Sequence, residues 1–216
     1  MTIIHDTPAA AMRRLAELGV AVEAIQRAVA AGHVARITCT ENDPPFIPGT
    51  EAWRFTVITL RGELCPRGWR KADPGNYSLV INDARQINIV VASGDSFVFR
   101  RHGQPRTKSL KGLYTEAATI RNRIDVDLFP ETLSEELRRI AAVLEYRTWV
   151  LLIDSTDEGY RAELSLPANM EDGQITDWDE RIFIPDAGES GSERVAEPDA
   201  GDNGPPDIDI PVRRKA

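Results

Sequence analysis

Residues 77–95 read YSLVINDARQINIVVASGD. Two runs rich in branched apolar residues, 77–81 and 87–92, flank the polar turn NDARQ, which is the pattern of a β-hairpin. Helical spacing of apolar residues precedes this hairpin, and a further helix with a second strand pair is indicated after it. This order differs from the strict alternation of a parallel α/β sheet. The sequence therefore predicts an α+β fold in which N-terminal helices are followed by antiparallel β-hairpins.

Three helices are predicted before the hairpin. The first covers 8–18, with Thr7 as a cap for its free amides. The second is expected over 20–31 and is predicted to end at Gly32, because glycine commonly terminates helices. The third is expected over 51–64, and the prolines that precede it are expected to exclude regular structure.

Further elements are predicted after the hairpin. They are an extension of the sheet over 96–100, a short helix over 113–124, a strand pair over 147–154 and 160–167, and a short strand over 182–184. Thr132 and Glu135 fit the capping-box pattern at the start of one more helix, because each side chain can satisfy a free amide of the first turn.

Four regions are predicted along the chain. Residues 1–128 form a lobe of helices plus a hairpin, and residues 129–186 form a second small lobe of one helix plus antiparallel strands. Residues 187–206 are rich in glycine, proline and acid, so they bury too little apolar surface to offset the entropy of ordering, and a flexible acidic linker is predicted. Residues 207–216 are predicted to be an edge strand followed by a basic tail.

The net charge of −8 over 216 residues hides an asymmetry. Residues 1–153 contain 20 basic and 17 acidic residues, whereas residues 154–216 contain 6 basic and 17 acidic ones. Such a split indicates separate positive and negative surfaces. The acidic C-terminal part leaves three roles open: binding a basic protein partner, covering a cationic site of the same chain, or serving as a plain solubilising tail.

Composition narrows the cellular setting. No apolar run is long enough to cross a membrane, and the first residues lack the basic-then-apolar order of a signal peptide. The only cysteines are Cys39 and Cys65, too few for a disulfide framework. We expect a cytoplasmic protein with reduced thiols and no membrane contact.

Patterns typical of catalysis are missing from the sequence. The three histidines are scattered, and the phosphate-loop, dinucleotide-binding and nucleophile-elbow patterns are absent. No cofactor and no metal are predicted. One enzymatic alternative stays open, a metal-dependent nuclease that uses Asp83, Asp95 and Lys108. It requires those side chains to converge.

Residues 15–29, LAELGVAVEAIQRAV, resemble a helix-turn-helix, in which the second helix enters the DNA major groove. The second helix would present Glu23, Gln26 and Arg27. Its spacing departs from the usual motif, and Glu23 would face phosphate. A plain helical hairpin that contributes to the core is favoured.

A basic loop, residues 100–111, reads RRHGQPRTKSLK and holds five Lys or Arg side chains with no acid. Cations that neutralise phosphates release condensed counterions, which is the main sequence-independent source of nucleic-acid affinity. Hydroxyl groups add hydrogen bonds to phosphate oxygens. The predicted nucleic-acid contacts are Arg100, Arg101, Arg106, Thr107, Lys108, Ser109 and Lys111. The alternative is a solvated loop, or one that pairs with the acidic C-terminal part.

Several segments are distinctive in combination. They are AAGHVARITCTENDPP, EAWRFTVITLRGELCPRGW, DPGNYSLVIN, INIVVASGD, TKSLKG, RTWVLLI, RAELSLP, ITDWDERI and DIDIPVRR. Together they resemble a family of uncharacterised bacterial proteins often encoded on plasmids and integrative mobile elements. The resemblance spans nearly the whole chain and implies a shared fold. It implies no activity, cofactor or catalytic residue. We therefore predict a non-enzymatic, nucleic-acid-associated accessory protein of a mobile element.

Overall fold

The computed structural model describes residues 2–123 and 133–186. These residues form five helices and seven strands. The helices are α1 (Pro8–Glu17), α2 (Val22–Thr38), α3 (Ile47–Leu64), α4 (Leu113–Arg123) and α5 (Glu135–Val143). The strands are β1 (Ile3–His5), β2 (Arg70–Ala72), β3 (Leu79–Asn82), β4 (Ile87–Ser93), β5 (Arg147–Ser155), β6 (Tyr160–Glu171) and β7 (Gln174–Phe183).

All seven strands join one mixed sheet in the order β1-β7-β6-β5-β4-β3-β2. The pairs β4–β5 and β1–β7 are parallel, and the other neighbours are antiparallel. The α+β fold class is confirmed. The described strands do not form two lobes joined near residue 130, because β4 and β5 lie on either side of that boundary and pair over seven residues. The regions predicted at 187–206 and 207–216 lie outside the described residues.

Helices cover both faces of the sheet. Side chains alternate along each strand, so neighbours such as Leu151 and Leu152 enter different cores. Leu151 packs with the first three helices, whereas Leu152 packs with α4, α5 and Trp178. Both leucines are fully buried, and each contributes about 1.5–3 kcal/mol by removal from water.

The helix ends in the structure can be compared with the ends predicted from the local sequence. Thr7 caps α1 as predicted, since its hydroxyl accepts from the Ala10 amide at 3.3 Å. α2 continues six residues past Gly32, because that glycine allows close contact with α3 and does not end the helix. α3 begins at Ile47, earlier than predicted, with a proline tolerated in its first turn.

Two other predictions are corrected by the backbone. Residues 96–100 form turns instead of a strand, and Phe99 there has a φ of 63°. The α5 cap is Ser134, whose hydroxyl accepts from the Leu137 amide at 3.3 Å. The predicted cap Thr132 lies outside the described residues.

We expect Gly32→Ala to lower the free energy of unfolding by about 1–3 kcal/mol. A Cβ at this position would lie 2.1 Å from the Thr56 hydroxyl and 2.6 Å from the Ala52 carbonyl oxygen of α3. The matched control is Gly62→Ala in the same helix pair, where a Cβ meets nothing within 4 Å. Gly62→Ala is expected to stabilise by about 0.5–1 kcal/mol, since alanine is the better helix former. Urea unfolding of both variants measures the difference, and equal effects would contradict this packing.

Candidate functional site

The basic loop lies at the carboxyl end of β4, where the chain folds back on itself. The Lys108 amide donates to the Ser93 carbonyl at 2.9 Å, and the Asp95 amide donates to the Arg106 carbonyl at 3.0 Å. Gly94 and Thr107 form an isolated antiparallel bridge between these two bonds. These contacts fix residues 106–108 of the loop against the residues that end β4 and follow it.

A buried ion pair supports the middle of the loop. Arg181 of β7 and Glu163 of β6 are joined by two hydrogen bonds of 2.9 and 2.7 Å, and their side chains are 1% and 0% exposed. Arg181 also donates to the Gly103 carbonyl at 3.1 Å, and Glu163 accepts from the Phe99 amide at 2.8 Å. The pair thus uses its remaining hydrogen-bonding capacity to fix the loop backbone.

Three predicted contacts point outward from this support. Arg100, Arg101 and Arg106 are all exposed. The Arg101 guanidinium pairs with the Asp6 carboxylate, and its side chain is 68% exposed. The Arg100 Nε donates to the Ser96 carbonyl at 2.8 Å. The three arginines are therefore accessible to solvent, and two of them also contact the protein.

The other four predicted contacts differ in placement. Thr107 is only 3% exposed, and its hydroxyl lies within hydrogen-bonding distance of the Ser109 carbonyl and the Gln174 amide oxygen. This burial separates the Thr107 hydroxyl from any phosphate on the outer side. Lys108 pairs with Asp154 at 3.1 Å. Lys111 donates to the exposed Ser109 hydroxyl at 3.1 Å, and burial lowers the pKa of its amine.

A second cationic surface lies at the opposite end of β4 and β5. It is an open cleft of about 630 Å³, and Glu145 is the only acid among the described residues that line it. The arginine cleft is formed by Arg14, Arg85, Arg121, Arg123 and Arg147. The sequence did not predict it, because these residues come from α1, the β3–β4 turn, α4 and β5.

Helix α4 separates the two cationic surfaces. Its 11 residues span about 16 Å, with the basic loop before its first residue and Arg121 and Arg123 in its last turn. The run of basic residues that is continuous in sequence is therefore divided between two ends of the molecule.

The nuclease set is not brought together. Asp83 lies in the β3–β4 turn, where Arg70 donates to both of its carboxylate oxygens and lowers its pKa. Lys108 lies beyond the other end of β4. Asp95 accepts from the Phe97 amide of its own turn at 3.1 Å. Across the described ranges, no three His, Cys, Asp or Glu side chains are grouped so that they could hold a metal ion.

The segment resembling a helix-turn-helix belongs to the core. α2 buries Ile25, Ala28 and Val29 against the sheet. Two of the three side chains that the second helix was expected to present are engaged within the protein: Gln26 donates to the Pro185 carbonyl at 2.7 Å, and Arg27 pairs with Glu63 at 2.7 Å. α2 packs against α3, so this segment contributes to the core.

Comparisons with known proteins find no relative of this chain. No protein-family model, curated protein or solved structure matches the chain. In the part of the chain that the structure describes, no helix is long and apolar enough to cross a bilayer. The resemblance to a mobile-element family stays a prediction.

Proposed function

We propose that this protein is a non-enzymatic accessory protein that binds nucleic acid through Arg100, Arg101 and Arg106 of the basic loop. The observation that supports the proposal is the outward display of these three side chains on a backbone held by the buried Glu163–Arg181 pair. A fixed backbone lowers the entropy lost when the loop meets a phosphate chain. The resemblance to proteins of mobile elements favours a nucleic acid as the polyanion.

The existing ion pair is a weak competitor for this binding. Exposed salt bridges contribute about 0–1 kcal/mol, so Arg101 can exchange Asp6 for a phosphate at little cost. Each phosphate that replaces a carboxylate or solvent also releases counterions from the nucleic acid. The proposed contact is therefore independent of base sequence and sensitive to salt.

The test is oligonucleotide binding by the full chain, measured by fluorescence anisotropy over a salt series. Three phosphate contacts predict that log K falls with log salt with a slope of about −2 to −3. Replacing Arg100, Arg101 and Arg106 together with glutamine is expected to weaken binding at least about tenfold and to flatten that slope.

The arginine cleft offers a matched control. Replacing Arg85, Arg123 and Arg147 with glutamine removes the same charge from the opposite end of the sheet. This variant is expected to keep most of the affinity of the unmodified chain. Equal losses in both variants would indicate a general charge effect, and a loss confined to the cleft variant would place the contact there. Either result contradicts the proposal for the basic loop.

A further inference from the structure

Two adjoining clefts open where β4 extends beyond β3. β3 pairs only with Ile87–Ile89, so β4 loses its neighbour on that side from Val90 onward. The larger cleft has a volume of about 290 Å³ and the smaller about 70 Å³. Trp53, Val91 and Ala92 line both of them. The two clefts therefore adjoin at Trp53 and the free edge of β4. The smaller lies on the sheet face covered by the first three helices and the larger on the face covered by α4.

The smaller cleft is suited to an anion. Its basic side chains are His33, Arg36 and Lys108, and none of the described residues that line it is acidic. The hydroxyls of Ser93 and Ser155 are also in its wall, and these serines end the parallel strands β4 and β5. Ligands of α/β proteins commonly bind outside the carboxyl ends of parallel strands.

Hydrogen bonding around the smaller cleft is incomplete. The Nε–H of Arg36 is buried and has no hydrogen-bond partner in the described chain. The terminal nitrogen of Arg36 lies 3.6 Å from Asp157, a side chain that is 92% exposed, so this ion pair is weak. His33 Nδ1 lies 3.1 Å from the Ser155 hydroxyl. A buried donor without a partner is rare in proteins, so the Arg36 guanidinium keeps hydrogen-bonding capacity that the described chain does not use.

Asp154 is a second acid paired with a cation of the smaller cleft. It pairs with Lys108 at 3.1 Å and its side chain is 13% exposed. Lys108 carries three donors, so it can keep this carboxylate and still contact an anion in the smaller cleft. Arg36 is therefore the main candidate for direct phosphate contact.

The larger cleft is suited to a flat aromatic group. The Trp53 indole is 37% exposed, and its N–H donates to the Val91 carbonyl at 3.2 Å, which fixes the orientation of the ring. Tyr77 and Tyr114 add two rings whose centroids are 5.6 Å apart, and burial raises the pKa of Tyr77 to about 12. The described lining contains Lys111 and no acid.

We propose that the adjoining clefts bind a nucleoside phosphate, with the phosphate at Arg36 of the smaller cleft and the base against Trp53, which lines both. Two ligands carry a nucleoside phosphate: a free nucleotide and the phosphorylated end of a nucleic-acid strand. The proposal does not depend on the three arginines of the proposed function, because Arg100, Arg101 and Arg106 line neither cleft.

Isothermal titration of the full chain tests this site. Adenosine 5′-monophosphate is expected to bind, with adenosine and inorganic phosphate each at least about tenfold weaker, because each lacks one half of the contacts. Arg36→Gln is expected to weaken nucleotide binding by about tenfold to a hundredfold, and Trp53→Leu by about tenfold. The matched control is Arg54→Gln on α3, because Arg54 stacks on Phe55 and lines neither cleft.

Oligonucleotides separate the two ligands. A preference of about tenfold for a 5′-phosphorylated strand over its 5′-hydroxyl form, lost in Arg36→Gln, would identify a strand end as the ligand. Nucleotide binding without that preference would identify a free nucleotide. The proposal is overturned if the mononucleotide does not bind and a 5′-phosphate does not strengthen oligonucleotide binding. It is also overturned if Arg54→Gln costs as much nucleotide affinity as Arg36→Gln. The triple variant of the basic loop should still bind the mononucleotide, so the two proposals can fail separately.

Discussion

Replacing Glu163 with alanine is expected to lower the free energy of unfolding by about 3–5 kcal/mol. The substitution leaves the guanidinium of Arg181, 1% exposed, without its counterion in the sheet interior. It also removes the acceptor of the Phe99 amide. Urea denaturation followed by circular dichroism measures the loss.

A surface pair and a double variant serve as controls. Glu17 pairs with Arg14 through a side chain that is 55% exposed, so Glu17→Ala should cost no more than about 1 kcal/mol. Replacing Glu163 and Arg181 together with methionine removes both buried charges, and this variant is expected to be more stable than Glu163→Ala. If the loss in the double variant equals the sum of the losses in Glu163→Met and Arg181→Met, the two residues are not coupled.

Asn122→Asp is expected to destabilise the fold by about 3 kcal/mol. Asn122 is buried, and its amide nitrogen donates to the carbonyls of Thr148 and Pro167 at 3.0 Å each. Its oxygen accepts from the Thr148 amide at 2.8 Å. Pro167 interrupts β6 and has no N–H, so Asn122 supplies a donor that this strand lacks. Aspartate keeps the shape but loses both donors.

The control for this change is Asn42→Asp, at an exposed position before α3. It introduces the same charge and is expected to alter stability by no more than about 0.5 kcal/mol. Thermal and urea unfolding of the two variants give the comparison. If the two variants have the same free energy of unfolding, the Asn122 side chain does not replace the β-sheet hydrogen bond that Pro167 cannot donate.

Sequence features that act within a few residues predicted most of the helices and strands. The predictions failed where the structure depends on contacts between residues far apart in the chain. The cap at Thr7 and the apolar runs around 79–82 and 87–93 act within a few residues, and the structure has those elements. The role of Gly32 depends on Ala52 and Thr56 of another helix, so the sequence around it predicted a helix end. The pairing of β4 with β5 joins residues about sixty positions apart, which is why one sheet was interpreted as two lobes.

The candidate site shows the same limit. The basic loop was visible because its charges are consecutive, but the burial of Thr107 depends on Gln174 in β7. One signal for its support was present in the sequence. Glu163 lies between the apolar residues Ala162 and Leu164, and an acid in that setting indicates a buried partner. The cleft residue Arg36 carried no comparable signal, since its surroundings come from separate elements.

The outer strands of the sheet affect how copies of the protein meet at high concentration. β1 and β2 are each three residues long. A second molecule that added a strand to either edge would gain few backbone hydrogen bonds, and at β2 an antiparallel copy would bring Arg70 and Lys71 against like charges. Aggregation by strand addition is therefore disfavoured at both edges, even though the interior of this sheet is strongly apolar.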